Sequence, residues 1–267
     1  MAGRKSAVRR PLREAIFLVL LLFSGAFAED VNTTLLLGPG VVILSKPYSG
    51  KHAEVYPYPL TFFVYDRFYV AIDTVGARLL ASRRGKPQPD ETYWYFDAIG
   101  RWRSDGYDSD DSDELNGMHN RHKTFDVGGE FGVSGDWGSV TTSLVRDILG
   151  VDNGQEVRVV YAKPFQNPFD VNNLKISPLV GLAWQSDNLV DYYYGVRRDE
   201  AREGRPAYDP HQAVNWLWGI DANYRLNKDW TLLAGFTYYW LDSDIRHSPI
   251  VSRNYAISII AGAMYRF

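Results

Sequence analysis

The end of the chain, residues 255–267, is the feature that most limits what this sequence can fold into. Alternate positions carry apolar and aromatic side chains, namely Tyr255, Ile257, Ile259, Ala261, Ala263, Tyr265 and Phe267. A half-buried strand of a soluble sheet alternates in the same way, so the length of the segment and its two ends must decide. Tyr255 and Tyr265 stand ten residues apart, which at ~3.3 Å per residue and a tilt of ~40° is about 25 Å along a membrane normal. Because this is the height of the apolar band of an outer-membrane barrel, the segment is predicted to be the closing strand of a transmembrane antiparallel β-barrel.

The last residues of that strand favour the same interpretation. The chain ends on an aromatic strand with Tyr265 and a terminal Phe267. This ending is similar to that of bacterial outer-membrane proteins, whose assembly machinery reads it. Tyr265 and Phe267 are therefore interpreted as an assembly signal.

The start of the chain has the pattern of a secretory signal peptide. The basic residues Arg4, Lys5, Arg9, Arg10 and Arg13 precede an apolar run at residues 15–23 and the small-x-small site Ala26-Phe27-Ala28. The apolar run is too short to cross a membrane as a helix. We expect cleavage between Ala28 and Glu29, which leaves residues 29–267 as one barrel domain. Because the leader carries a net charge of +4, the formal net charge falls from −3 to −7. This charge excludes a nucleic-acid-binding protein.

No other segment contains an apolar run long enough for a membrane helix. An integral membrane protein of this sequence must then be a closed barrel, since every backbone polar group has to be paired in lipid. The absence of cysteine permits an oxidising compartment and excludes disulfides. The 15% of aromatic residues suits a barrel with a polar interior. By composition alone, a soluble β-sandwich is about as compatible.

Alternating segments and turn signals predict about twelve strands, an even number as in bacterial outer-membrane barrels. They are residues 35–44, 55–65, 68–75, 92–102, 125–133, 137–149, 157–165, 174–185, 189–197, 214–226, 230–242 and 255–267. Counting back from a closing strand that ends in the periplasm puts the loop at residues 198–212 outside the cell. The same count puts residues 103–123 on the periplasmic side, where turns are normally short.

Several ordered motifs resemble the MipA/OmpV family, over essentially the whole mature chain and most densely from residue 174 onward. They are Leu115-Asn116-Gly117-Met118 with Arg121, Trp184-Gln185-Ser186, Tyr192-Tyr193-Tyr194-Gly195-Val196, Tyr208-Asp209-Pro210, Asp229-Trp230, Leu241-Asp242-Ser243-Asp244 and Ser248-Pro249-Ile250-Val251. The resemblance implies a non-enzymatic scaffold in the outer membrane of a Gram-negative bacterium. The implied partners are a lytic murein transglycosylase and a bifunctional penicillin-binding protein that synthesises peptidoglycan. Other members of the family are described as porin-like or linked to adhesion, so a narrow solute channel is the alternative.

The acidic run Asp105, Asp108, Asp110, Asp111, Asp113 and Glu114 is the main candidate site. No register of this run supplies the acids, the glycine and the final glutamate of an EF-hand loop, so a solvated loop is favoured over a calcium site. Its predicted periplasmic position and its charge make it a candidate docking loop for a basic face of a peptidoglycan enzyme.

No motif indicates catalysis, a metal or a cofactor. The acids near His119 and His122 are not at the spacing of a metal site. His247 and Ser248 are neighbours in the sequence, but a catalytic triad is defined by its geometry and not by sequence neighbours. We therefore expect a protein that is not an enzyme.

The strand patterns also place charges inside the barrel and aromatic residues outside it. The inward charges are Asp97, Arg101, Asp126, Glu130, Arg158, Lys175, Asp191, Arg197, Asp221, Arg225 and Arg266. They would either line a selective channel or, as favoured for a lumen of about twelve strands, pair across it and fill it. The outward aromatics Tyr192, Tyr194, Trp216, Trp218, Trp230, Trp240, Tyr255 and Tyr265 are interpreted as anchors in lipid, with a carbohydrate-binding surface as the alternative.

Overall fold

A computed structural model describes residues 33–82 and 91–267. The predicted leader and its cleavage site at Ala28 and Glu29 lie outside these residues. The strands are β1 (Thr33–Ser45), β2 (Glu54–Tyr65), β3 (Phe68–Ala71), β4 (Thr74–Ala81), β5 (Tyr93–Arg103), β6 (Thr124–Gly135), β7 (Gly138–Asp147), β8 (Gln155–Ala162), β9 (Phe165–Gln166), β10 (Leu174–Gln185), β11 (Ala213–Arg225), β12 (Trp230–Trp240) and β13 (Tyr255–Arg266). The helices are α1 (Asp187–Tyr194), α2 (Ser243–Arg246) and a 3₁₀ turn at Pro168–Asp170.

Twelve antiparallel strands close into a barrel, as the sequence predicts. Each strand pairs with its neighbours in chain order, and β13 returns to pair with β1, with Leu36 opposite Arg266. The two-residue β9 pairs only with β10 and is not part of the ring. Closure gives the ring no terminal edge strand, which is what a strand-built protein needs in lipid. No helix in the described parts of the chain is long and apolar enough to span a membrane.

Side chains alternate between the lumen and the outer surface along each strand. In β11, Trp216 and Trp218 are exposed by 57% and 52%, whereas the intervening Leu217 is 1% exposed and the nearby Asp221 is 5% exposed. The period of two follows from the pleat of a β-strand. The outer wall is therefore apolar and aromatic, while the inner wall carries the polar and charged groups.

The two ends of the barrel differ in the length of their connections. One end, here called the long-loop end, carries residues 46–53, 104–123, 148–154, 186–212 and 241–254. The other, here called the C-terminal end, carries Thr33, Phe267, the end of β4 at Ala81, the start of β5 at Tyr93 and the connections at residues 66–67, 136–137, 163–173 and 226–229.

The strand predicted at residues 189–197 is wrong, because this segment forms helix α1 at the long-loop end. Leu189, Val190, Tyr193 and Tyr194 are its buried residues. These residues are one, three or four positions apart, as on one face of a helix. The sequence also alternates at Tyr192 and Tyr194, which is why it predicts a strand. Packing of this face decides in favour of the helix.

The strand predicted at residues 68–75 is also wrong, because it is divided into β3 and β4 by a tight turn at Ile72 and Asp73. Ile72 has a left-handed φ of 53°, which is unusual for a β-branched residue and left no turn signal in the sequence. The two errors cancel in the number of strands. They invert the side assigned to every connection between them, including residues 103–123, which lie at the long-loop end and not at the C-terminal end.

Candidate functional site

The family-like motifs are scattered along the sequence and, except for Asp229-Trp230 at the C-terminal end, assemble into one cap over the long-loop end. Their apolar residues belong to a single buried cluster that includes Leu115, Met118, Tyr193, Val196 and Ile250. Ser248 joins two of the motifs, because its hydroxyl donates a 2.5 Å hydrogen bond to the Tyr194 carbonyl. The resemblance therefore describes a tertiary unit, which is called the cap below and comprises residues 46–53, 104–123, 186–212 and 241–254.

A buried ion pair holds two of the cap loops together. Arg121 donates to both carboxylate oxygens of Glu200, at 2.9 and 2.8 Å. Glu200 also accepts from the backbone N–H groups of His119 and Arg197. Burial would raise the pKa of Glu200, but the bonds from Arg121 and the two amides lower it to about 2. Such a bidentate pair is among the stronger polar contacts in proteins.

The acidic run predicted as a docking loop is part of this cap. Asp111 lies 2.5 Å from the Lys51 amine, Asp105 lies 3.2 Å from Arg103, and the Glu114 carbonyl accepts from Arg205 at 2.7 Å. Asp110, Asp113 and Glu114 are exposed, and Asp108 is half-buried. The run lies at the same end of the barrel as residues 198–212, so the strand count that put these two connections on opposite sides is wrong. Its role in binding a partner stays a prediction that its position does not support.

Four of the predicted inward charges form ion pairs in the lumen, as the filled-lumen interpretation expects, namely Asp97, Arg101, Asp126 and Arg158. Glu156, which is 2% exposed, lies within 3.6 Å of Arg101, 3.3 Å of Arg103 and 2.6 Å of Arg158. Arg103 also lies 2.6 Å from Asp126. Glu156 and Arg103 were not predicted as inward charges. Each stands two residues from a predicted inward residue on its strand, Arg158 and Arg101 respectively, and therefore points to the same side. Asp191 and Arg197, by contrast, belong to the exposed surface of the cap.

Below this charge layer the lumen contains a cavity of about 30 Å³. Its lining includes Arg101, Arg158 and Tyr239, and each of these residues has a buried nitrogen or oxygen atom that makes no hydrogen bond to the described residues. A space of this size holds about two water molecules, which would satisfy these groups. The arrangement fits a wetted interior crossed by ion pairs.

The histidines and Ser248 make structural contacts. His119 lies 3.5 Å from Asp199 and 3.4 Å from Glu200. Ser248 accepts from the Ile250 amide in addition to its bond to Tyr194. Among residues 33–82 and 91–267, no group of three or more histidines and acids is arranged to hold a metal ion.

Most of the predicted lipid anchors lie on the outer wall. Trp216, Trp218, Trp230 and Trp240 are exposed by 37% to 57%, whereas Tyr194 is 7% exposed and packs in the cap. The assignment of Tyr192 and Tyr194 as anchors is wrong, because both belong to helix α1. At the end of the chain, the rings of Tyr265 and Phe267 meet edge to face with their centres 5.0 Å apart.

At the C-terminal end, residues 163–173 carry exposed apolar side chains, although the sequence places Phe165 in a strand and residues 166–173 in a loop. Phe165, Phe169 and Val171 are exposed by 49%, 86% and 41%. Asn167, Phe169, Asp170 and Asn173 all have left-handed φ angles. The segment is nevertheless tied down, because the Asn167 amide donates to the Leu174 carbonyl at 2.7 Å and the Asn167 side chain accepts from Asn173 at 2.9 Å. A backbone held in such conformations, with apolar side chains turned outward, marks a candidate binding surface.

A closed antiparallel barrel with an aromatic outer belt and a charged lumen defines the class of outer-membrane β-barrel proteins. The family profile described as MltA-interacting protein MipA matches residues 37–267, and the chain belongs to this family. The MltA-interacting protein of Escherichia coli K12 is 26% identical over 252 residues, covering 93% of this chain and 96% of the relative. The putative outer membrane protein YiaT of the same organism is 25% identical over 253 residues, covering 93% and 98%. The outer membrane protein OmpV of Vibrio cholerae is 30% identical over 161 residues, covering 60% and 61%.

These relationships place the chain in the outer membrane. Outer-membrane barrels have short periplasmic turns and longer extracellular loops. We therefore expect the cap to face the outside of the cell and residues 163–173 to face the periplasm.

Proposed function

We propose that this protein is a non-enzymatic anchor that holds a lytic murein transglycosylase at the outer membrane and joins it to a bifunctional penicillin-binding protein. The observation that carries the proposal is the family match over residues 37–267, together with a relative that is named for its interaction with MltA and spans nearly the whole chain. The barrel would supply position and a docking surface, while the partners would supply the chemistry of cell-wall remodelling.

The docking surface that we propose is the segment at residues 163–173. Both enzymes work on peptidoglycan, so a partner must reach the barrel from the periplasm. Phe165 and Phe169 present apolar surface there, and an exposed aromatic that fills a pocket of its partner is the usual centre of a protein interface. Because the segment is already ordered, binding would not have to immobilise it first.

Capture of the transglycosylase by the immobilised, detergent-solubilised barrel tests both parts of the proposal. We expect the double substitution Phe165→Ser and Phe169→Ser to weaken capture by at least about tenfold, the loss typical of an interface anchor. The matched control is Ile148→Ser with Leu149→Ser, because these residues are exposed by 59% and 58% at the opposite end. Heat-modifiable migration on a gel confirms that each variant is folded.

The outcomes separate the function from the surface. A barrel that captures no transglycosylase in its unaltered form would refute the anchor function. Equal capture by the Phe165/Phe169 variant and the control would refute only the assigned surface. The penicillin-binding protein is then added to the captured pair, and its failure to join would limit the proposal to the transglycosylase.

A narrow solute channel remains the second candidate that the sequence left open. The lumen argues against it, because Glu156 and three arginines form a layer of ion pairs above a cavity of only about 30 Å³. We therefore expect the ion conductance of the barrel in planar bilayers to be small.

A further inference from the structure

The barrel wall has a notch between β2 and β5, because the β3–β4 hairpin that separates them is short. Strand β2 has twelve residues, but β3 has four and pairs only with residues 62–65 of β2. On the other side of the hairpin, Thr74 lies opposite Arg101, near the end of β5. Residues 54–61 of β2 thus extend past the turn at Ile72 and Asp73 for about 20 Å along the membrane normal. Within the described residues, β1 is the only strand paired with this part of β2.

The sequence of β2 is adapted to a free edge at this position. In an antiparallel sheet the N–H and C=O of one residue point to the same neighbour, and the direction alternates along the strand. The Thr61 carbonyl accepts from the Ile72 amide, so Pro59, Pro57 and Val55 also direct their backbone toward the notch. Proline has no N–H, and therefore two of these three residues have no donor to leave unpaired in the membrane.

The same prolines decide what can occupy the notch. A β-strand added at this edge would need N–H donors from Pro57 and Pro59, which have none. A complete ladder of hydrogen bonds to an added strand is therefore excluded. An occupant made only of acyl chains would leave the edge carbonyls without donors, which is costly in lipid. The edge offers acceptors, with only a 3.5 Å contact from the Thr61 hydroxyl to the Pro59 carbonyl. The fitting occupant is a group that donates hydrogen bonds.

The notch faces the bilayer, and Tyr58 lies on its lumen side. Val55 and Val75, on either side of it, point outward and are exposed by 62% and 44%. Tyr58 points inward, and its hydroxyl donates a 3.1 Å hydrogen bond to the Ile72 carbonyl across the base of the notch. At the outer end the cap closes over it, with Lys51 lying 2.5 Å from Asp111.

We propose that the notch binds a membrane lipid whose head group carries hydrogen-bond donors. The head group would donate to the carbonyls of Val55, Pro57 and Pro59, while the acyl chains lie along the outward Val55 and Val75. Its position toward the cap places the site in the outer leaflet, at the depth where head groups meet the apolar band. This site is independent of the periplasmic docking surface.

Photocrosslinking in vesicles tests the site. A benzophenone side chain replaces Tyr58 at the notch, Tyr239 on the inner wall and Trp218 on the outer wall. Tyr239 is the matched control, because it is an inward tyrosine on β12, which is paired on both sides. Each variant is placed in vesicles made either of phosphatidylethanolamine, whose ammonium donates hydrogen bonds, or of phosphatidylcholine with the same acyl chains, whose head group has no donor. Lipid adducts are counted by mass spectrometry on protein that shows heat-modifiable migration.

We expect position 58 to form lipid adducts about fivefold more in phosphatidylethanolamine than in phosphatidylcholine, the factor that one net hydrogen bond gives. Position 239 should form almost none in either lipid, and position 218 should form equal amounts in both. A position 58 that behaves like position 239 would overturn the proposal, because no lipid then enters the notch. Equal adducts at position 58 in the two lipids, or adducts with protein in native membranes, would overturn it as well.

Discussion

At the scale of single residues, the lumen depends on Glu156, since one carboxylate serves Arg101, Arg103 and Arg158. Removing one partner of a buried ion pair leaves an uncompensated buried charge. We expect Glu156→Gln to destabilise the barrel by about 3–5 kcal/mol. The measurement is the denaturant concentration at which heat-modifiable migration is lost. Asp110→Asn, at an exposed acid of the cap, is the control and should leave that concentration unchanged.

Glu200 makes the cap sensitive to acid. Its pKa of about 2 in the folded protein lies below the value of about 4.3 for a free glutamate. Ionised Glu200 therefore stabilises the cap fully above about pH 4.3, and this contribution is lost as the pH falls toward 2. We expect the near-ultraviolet circular dichroism of the buried cap tyrosines to fade over that range. In Glu200→Gln, which cannot form the ion pair with Arg121, the signal should already be reduced at neutral pH and should lose this acid dependence. Identical profiles for the two proteins would contradict the role of the pair.

At the scale of elements, the closing strand is held more by its backbone than by its last side chain. The Phe267 amide donates to the Leu35 carbonyl at 3.1 Å, but the side chain is 73% exposed. Replacing Phe267 with Asp should therefore cost little in the finished barrel. If the terminal aromatic is read during assembly, the variant should nevertheless accumulate as periplasmic aggregate or be degraded. Normal amounts of heat-modifiable protein in the outer membrane would contradict the assembly role, and Phe267→Tyr is the conservative control.

The side on which the acidic segment lies can be tested directly, because the chain contains no cysteine. Asp110 is exposed on the cap, and Lys228 is exposed on the turn after β11 at the other end. A membrane-impermeant maleimide should label Asp110→Cys on intact cells and should label Lys228→Cys only after the outer membrane is permeabilised. The reverse pattern would show that the barrel is inserted the other way round and that residues 163–173 cannot face the periplasm.

At the scale of the whole molecule, a twelve-stranded barrel lies between small filled barrels and open porins, so its side chains decide whether it conducts. The ion pairs around Glu156 and the cavity of about 30 Å³ lead us to expect at most small conductance in planar bilayers. A double variant with Arg103→Ala and Glu156→Ala, which removes two large side chains of the layer, should conduct more. Large, steady conductance by the unaltered protein would support the channel alternative over the anchor.

The sequence by itself determined the closed barrel and most of the charges that lie in the lumen, whereas the predicted number of strands is correct only because two errors cancel. The reason is that side chains alternate between the two faces of each strand. Outward residues such as Trp216 and Trp218 therefore indicate the lipid side, and inward residues such as Asp221 indicate the lumen. The family motifs likewise indicated the relationship that the comparisons establish. Processing between Ala28 and Glu29, which lie outside the described residues, stays a prediction.

Tertiary packing alone decided which end each connection occupies and what the connections build. Tyr192 and Tyr194 alternate as in a strand, whereas Tyr193 and Tyr194 share one helical face, and burial of this face against the cap cluster favours the helix. The turn at Ile72 contains no glycine, proline or asparagine by which the sequence would indicate it. Because of this turn, the acidic segment lies at the end opposite to the predicted one, and the notch forms beside Pro57 and Pro59. Such choices depend on contacts between residues far apart in the chain, which local periodicity does not contain.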